Sequence, residues 1–135
     1  MKTLVIDGAG FSTLTGFEAA FSEAVLGRPT SWNGNLDVFN DILSGGFGTP
    51  DEGFTLVWRN SAKSRKDLGY SETARWYEER LRRAHNSHAA AAMRRGVDAA
   101  RRTKGETVFD WLVATLQKHG PGGQRAVDGI VLQLE

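Results

Sequence analysis

Two aspartates, Asp37 and Asp41, have the spacing in this sequence that most suggests a chemical role. A short helix is predicted from about residue 35 to residue 44, and side chains four apart on a helix project side by side. The helix dipole favours a carboxylate near the N-terminus, as at Asp37, but not one near the C-terminus, as at Asp41. The pattern therefore predicts either a solvated acidic surface or a carboxylate pair that an external cation uses.

Motifs of catalysis or cofactor binding are incomplete along the chain. No serine lies in a G-x-S-x-G nucleophile elbow. Gly8-Ala9-Gly10 opens like a dinucleotide-binding loop, but Thr13 stands where the third glycine is needed, and Gly45–Gly48 lacks the lysine and hydroxyl of a phosphate loop. We therefore expect neither an enzyme nor a cofactor.

The residue types that bind metals are also scarce. The chain has no cysteine, which excludes disulfides and thiolate sites and fits a reducing compartment. His85 and His88 lie three residues apart and His119 is the only other histidine. Two imidazoles without nearby carboxylates make a poor metal site, so we expect surface histidines and no metal.

The net charge is only +1, but the basic and acidic residues are unevenly distributed along the chain. Residues 1–58 carry 2 basic and 7 acidic side chains, whereas residues 59–104, the basic segment, carry 13 basic and 5 acidic ones. A basic segment is typical of a solvated helical surface, but it can also contact RNA or an acidic patch on a partner. The first candidates for such contacts are Arg94, Arg95, Arg101 and Arg102.

The start of the chain lacks the apolar core of a signal peptide, because Asp7 and Gly8 interrupt it. No apolar run reaches the length needed to span a bilayer. We therefore expect a cytoplasmic protein with no membrane partner.

Hydrophobic patterns predict the elements that position these residues. Short apolar runs at 4–6, 54–58 and 130–134 predict β-strands. Helices are predicted after a capping box at Thr15 and Glu18, over 35–44, through the basic segment with a cap at Ser87, and after a second capping box at Thr107 and Asp110. This order predicts an α/β fold, a small three-stranded parallel sheet packed with helices.

The segment Trp32-Asn33-Gly34-Asn35-Leu36-Asp37-Val38-Phe39-Asn40-Asp41-Ile42-Leu43 resembles the aromatic–Gly–x–Asn–Leu–Asp–x–φ–Trp–Asp–x–Leu pattern of the barstar family. Residues 1–60 and 105–135 follow the family's order of elements. Longer members, with an Arg-rich helical stretch after the second strand, are similar to residues 60–104. The resemblance implies a single barstar-like domain over residues 1–135, with residues 60–104 as a basic helical insertion.

Members of this family inhibit a small secreted ribonuclease and protect the cell that produces it. The resemblance implies that Asp41 inserts among the enzyme's catalytic cations and that Asp37 makes a neighbouring contact. A carboxylate can do so because arginine forms bidentate hydrogen bonds with it, as it does with phosphate. The remaining partner contacts implied by the resemblance are Ser31, Trp32, Asn33, Gly34, Asn40 and Ser44.

Three positions depart from the best-known member of the family. Asn40 replaces a tryptophan at the contact, Ser31 replaces an aromatic residue, and Ala114 stands where an acidic contact is expected. The target is therefore a different ribonuclease or another cationic protein. The alternative function is an RNA-binding or regulatory module that uses the basic segment.

Overall fold

A computed structural model describes all residues from 1 to 135 and contains one parallel sheet of three strands. The strands are β1 (Lys2–Asp7), β2 (Phe54–Arg59) and β3 (Ile130–Leu134), in the order β1-β2-β3. Leu4 pairs with Leu56, which in turn pairs with Leu132. The predicted α/β fold with a small three-stranded parallel sheet is confirmed.

One face of this sheet carries the hydrophobic core. Ile6, Leu56 and Ile130 are at most 2% exposed and belong to one cluster with the helices, whereas Val5 on the opposite face is 42% exposed. Both crossovers step in the same direction across the sheet, and right-handed crossovers then place their helices on the same side. The helices that carry the candidate site therefore all pack over this face.

Six helices connect the strands. They are α1 (Leu14–Leu26), α2 (Leu36–Leu43), α3 (Ser61–Asp67), α4 (Tyr70–Arg82), α5 (Ser87–Arg101) and α6 (Val108–Lys118). The capping box predicted at Thr107 and Asp110 is confirmed, because each side chain accepts a hydrogen bond from the other residue's backbone N–H. None of the helices has the length and apolar character needed to cross a membrane.

The start of α1 differs from the predicted capping box at Thr15 and Glu18. The N-cap is Thr13, whose Oγ1 accepts a hydrogen bond from Gly16 N at 3.0 Å. The helix begins earlier because Leu14, only 4% exposed, already packs into the core from its first turn. Glu18 is therefore not a capping residue, and it is 1% exposed.

Two further predictions are wrong. The N-cap of α5 is Asn86 and not Ser87, because the Asn86 carboxamide oxygen accepts from Ala89 N at 2.8 Å. His119 is fully buried and not a surface histidine, since neighbouring side chains supply oxygens to both ring nitrogens.

Aromatic rings attach α4 and α5 of the basic segment to the rest of the protein. Tyr77 of α4 lies against Gly96 of α5 so closely that a Cβ at position 96 would come within 2.3 Å of its ring. Trp76 and Tyr77 also pack edge-on against Trp111 of α6, with ring centroids 5.1 and 5.7 Å away. The basic segment is thus packed onto the protein and is not a detached arm.

Glu72 joins α4 to the N-terminus of α1. Its carboxylate is 7% exposed, accepts from Leu14 N at 2.6 Å and pairs with Arg75 through two bonds of 2.7 and 2.8 Å. The first N–H groups of a helix have no partner within the helix and carry its positive dipole end, so an anion there is favourable.

We expect Glu72→Ala to lower the free energy of unfolding by about 1–3 kcal/mol, because it leaves the Leu14 N–H buried without an acceptor. Urea denaturation measures this change. Glu78→Ala on the same helix is the control, since Glu78 is 39% exposed and its pair with Arg101 contributes about 0–1 kcal/mol. Equal losses in both variants would contradict the assigned role of Glu72.

Candidate functional site

Helix α2 is fixed at its start and along its inner face. The Asn35 side chain is its N-cap and accepts from the backbone N–H groups of Asp37 and Val38 at 3.0 and 3.2 Å. Phe39, Ile42 and Leu43 are at most 1% exposed and form the buried stripe of the helix, whereas Leu36 is only half-buried. This packing turns the opposite side of the helix towards solvent.

Asp37 and Asp41 both lie on that exposed side. Each of the eight ion pairs in the protein is formed by other residues, and neither carboxylate accepts a hydrogen bond within the chain. The two negative charges are therefore available to a partner, and nothing inside the molecule neutralises them.

The loop Ser31–Gly34, which we call the docking loop, leads into α2. Asn33 and Gly34 both have left-handed backbone conformations, with φ of 52° and 70°. Glycine adopts this conformation freely, and asparagine adopts it more readily than most residues with a side chain. Trp32 is 5% exposed, and its ring stacks on Phe39 at 5.4 Å, inside the core.

The buried carboxylate of Glu18 holds one side of the docking loop. One of its oxygens accepts from Trp32 N and from the Ser31 hydroxyl, both at 3.0 Å, and the other accepts from Gly34 N at 2.7 Å. A buried charge is tolerated only when it is well hydrogen-bonded, and these three donors supply that. The signal in the sequence was an acidic residue on the apolar face of α1, next to Leu14 and Phe21 in helical spacing.

Helix α4 holds the other side of the same loop. The Trp76 indole N–H donates to Gly34 O at 3.0 Å, and the Arg80 guanidinium donates to Gly34 O at 2.8 Å and to Asn33 O at 3.4 Å. The sequence had no motif that connected residue 80 to the docking loop.

Asn40 lies between the two aspartates and is bonded to the end of α6. Its carboxamide oxygen accepts from Lys118 Nζ at 3.4 Å and lies 2.8 Å from His119 Nε2. The other ring nitrogen of His119 lies 2.6 Å from the Asp128 carboxylate. The Asn40 oxygen is thus used internally, while its amide nitrogen has no partner in the chain and can donate to one outside.

The Asp128 carboxylate is the anion of this network. The hydrogen bond from Arg125 lowers the pKa of Asp128, burial opposes that effect, and the contact with His119 lowers the pKa further. A carboxyl whose pKa is lowered on folding stabilises the protein above its unfolded pKa of about 3.9. That contribution disappears as the pH falls through the lower pKa of the folded state.

We therefore expect the free energy of unfolding to fall as the pH drops below about 4, and to fall less steeply in Asp128→Asn. Urea denaturation at a series of pH values measures both slopes. Asp51→Asn, at an exposed position, is the control and should keep the wild-type slope. A slope in Asp128→Asn identical to that of the wild type would contradict the role given to this carboxylate.

The remaining candidate residues lie in different surroundings. Ser44 is exposed at the end of α2, where its hydroxyl donates to Asn40 O at 3.3 Å, and Ala114 is exposed on α6. All four candidate arginines of the basic segment are exposed. Arg101 pairs with Glu78 at 3.1 Å and Arg102 with Asp98 at 3.5 Å, whereas Arg94 and Arg95 form no ion pair.

A three-stranded parallel sheet covered on one face by helices, with an exposed acidic helix beside a tightly held loop, is consistent with a barstar-like fold. The chain belongs to the Barstar family, because the family model Barstar (barnase inhibitor) matches residues 1–100. No curated protein and no solved structure matches the chain. The matched range includes α1 to α4 and most of α5, so it runs through the basic segment and ends before α6.

Proposed function

We propose that this protein is a stoichiometric inhibitor of a ribonuclease toxin, and that it blocks the enzyme's cationic active site with Asp41 and Asp37. The family to which the chain belongs supports the class of target. The observation that carries the mechanism is the pair of exposed carboxylates on α2 that no group in the chain neutralises.

The chemistry of a ribonuclease explains why carboxylates suit this role. Its active site must bind phosphate and stabilise developing negative charge, so it holds cationic side chains. A carboxylate has two anionic oxygens, and arginine can form bidentate hydrogen bonds with them as it does with phosphate. Asp41 gains most from such a partner, because it lies near the negative end of the α2 dipole and close to Asp37.

Neighbouring groups would complete the contact. Asn40 would donate from its free amide nitrogen, and Ser31, Asn33 and Ser44 would add exposed polar groups at the rim. Trp32 and Gly34 are buried, so their role in this proposal is to support the docking loop from beneath. An immunity protein of this kind would act in the cytoplasm, where the toxin is made, and would need no catalysis or cofactor.

Titration of a ribonuclease with the purified full-length chain tests this function. The enzymes to use are barnase and any ribonuclease encoded by an adjacent reading frame. We expect the activity of at least one of these enzymes to fall linearly to zero at one inhibitor per enzyme, and Asp37→Asn/Asp41→Asn to abolish this titration. Undiminished activity of both enzymes at excess inhibitor would contradict the proposal.

The rate of association should depend on salt, because two exposed carboxylates would be attracted by a cationic site over a distance. Raising the ionic strength from about 0.01 M to 0.15 M shortens the Debye length from about 30 Å to about 8 Å. We expect the association rate constant to fall strongly and the dissociation rate constant to change little. Stopped-flow mixing measures both, and an association rate that salt leaves unchanged would contradict this steering.

Arg94 and Arg95 form no ion pair within the chain. This favours a second candidate function, RNA binding by the basic segment. RNA affinity that falls steeply with salt and is lost in Arg94→Ala/Arg95→Ala would support it. Arg101 and Arg102 favour it less, because each already pairs with an acidic side chain.

A further inference from the structure

We infer that α4 holds the docking loop in its binding conformation, with Trp76 and Arg80 as positioning residues. The basic segment would then act on the same docking surface as the acidic helix. The consequence for binding rests on the proposed function, but the effect on the loop does not.

The backbone of the docking loop is held by side chains outside it. Its two successive residues Asn33 and Gly34 are left-handed, a conformation that glycine adopts freely and asparagine adopts more readily than most residues with a side chain. The loop leads directly into Asn35, the N-cap of α2, so its conformation determines where α2 begins. A shift of the loop would therefore move Asp37 and Asp41 relative to a partner.

Two side chains of opposite charge bind the peptide group between Asn33 and Gly34, one at its N–H and one at its carbonyl. Its N–H donates to the buried carboxylate of Glu18 at 2.7 Å, and its carbonyl accepts from Arg80 at 3.4 Å. The next carbonyl, Gly34 O, accepts from both Arg80 and Trp76. An anion thus holds the N–H side of the loop, and a cation with an indole holds the carbonyl side.

Arg80 differs from the other arginines in α4 and from Arg83, which directly follows the helix. Arg75, Arg82 and Arg83 each pair with a carboxylate, whereas the guanidinium of Arg80 pairs with none. It lies instead 4.1 Å from the centre of the Trp76 ring and donates to the docking loop. Burial lowers the pKa of Arg80 and the neighbouring Arg83 lowers it further, while the Glu79 and Glu18 carboxylates oppose part of that effect.

Helix α4 is itself firmly anchored, so it can act as a support. Glu72 accepts from Leu14 N of α1, and the Thr73 hydroxyl oxygen accepts from Val108 N of α6 at 2.9 Å. Trp76 also contacts Gly34 directly, since a Cβ on that glycine would lie 3.2 Å from the indole nitrogen. The docking loop is therefore held between α1 and α4.

Amide hydrogen exchange in the full-length chain tests this inference without a partner. We expect Arg80→Ala to speed exchange at Gly34 N and Trp32 N about tenfold, the effect of losing roughly one hydrogen bond, while Leu56 in β2 keeps its rate. Arg80→Lys, which retains a donor, should show a smaller increase. Arg83→Ala is the control, because its exposed side chain pairs with Glu79 and donates no hydrogen bond to the loop.

Equal exchange at Gly34 in Arg80→Ala and Arg83→Ala would overturn the inference. So would faster exchange spread evenly over the strands, because it would show general destabilisation in place of a local effect.

Binding is then measured with the ribonuclease that the wild-type chain inhibits. We expect Arg80→Ala to raise the dissociation rate about tenfold, and Arg83→Ala to change it less than about twofold. A loosened loop with wild-type affinity would refute the role in docking. If the wild-type chain inhibits no ribonuclease, the proposed function fails, and the exchange experiment still decides whether α4 positions the loop.

Discussion

Asp41→Ala is expected to weaken the complex with the target ribonuclease by about 2–5 kcal/mol or more, roughly 30-fold to several thousandfold in affinity. The range is the general one for truncating one member of a buried charge pair, and the barnase–barstar complex is among the systems that define it. The loss is large because the enzyme's cations would remain buried without an anion. The dissociation rate, measured by surface plasmon resonance, should carry most of the change.

The free protein should respond in the opposite way. Asp41 lies near the C-terminal end of α2 and four residues from Asp37, so its removal relieves unfavourable interactions. We therefore expect Asp41→Ala to unfold at an unchanged or slightly higher urea concentration while it loses affinity. Asp37→Ala should cost less affinity, and Asp51→Ala, on an exposed loop, should cost none. Wild-type affinity in Asp41→Ala would exclude the proposed mechanism.

The second large effect is expected at Glu18. Glu18→Ala should lower the free energy of unfolding by about 3–5 kcal/mol, because the N–H groups of Trp32 and Gly34 lose their acceptor in a buried site. Glu18→Gln should cost less, since its amide oxygen still accepts. Urea denaturation measures these differences.

Glu23→Ala is the matched control for this experiment. It removes an exposed carboxylate from the same helix, so we expect a change within about 0.5 kcal/mol. If Glu18→Ala destabilised the protein no more than Glu23→Ala, the docking loop would not depend on this carboxylate for its conformation.

Local sequence patterns were enough to predict the sheet and most of its helices. The apolar runs around Leu4, Leu56 and Leu132 form one parallel sheet, because the helices between them along the chain supply the crossovers that parallel strands need. The capping box at Thr107 and Asp110 was also correct, since both partners lie within one turn. In contrast, the α1 cap was misplaced, because the packing of Leu14 decided it and that packing is not visible in the local pattern.

The acidic face of α2 was predictable for the same reason, but its supports were not. Asp37 and Asp41 share a helical face that the spacing alone defines. The contacts of Glu18 with Gly34 and of Arg80 with Asn33 join residues 16 and 47 positions apart. Such contacts follow from tertiary packing. A single sequence shows only the hint that an acidic residue occupies an apolar helix face.

Two residues are buried although the sequence suggested exposed positions. Trp32 matched the family's aromatic position and was predicted as a partner contact, but its ring stacks on Phe39 within the core. His119 was predicted at the surface, yet Asn40 and Asp128 enclose its ring. Residue type does not separate these alternatives, because aromatic and imidazole rings are found both buried and exposed.

A double-mutant cycle that combines Asp41→Ala with alanine at a cationic active-site residue of the target ribonuclease would show whether Asp41 enters that active site. Four dissociation constants, from both wild types, each single variant and the double variant, give the coupling energy between the two side chains. We expect a coupling of about 1.5 kcal/mol or more, because the two charges would meet in the complex. Effects that add to within about 0.5 kcal/mol would show that Asp41 does not enter the active site.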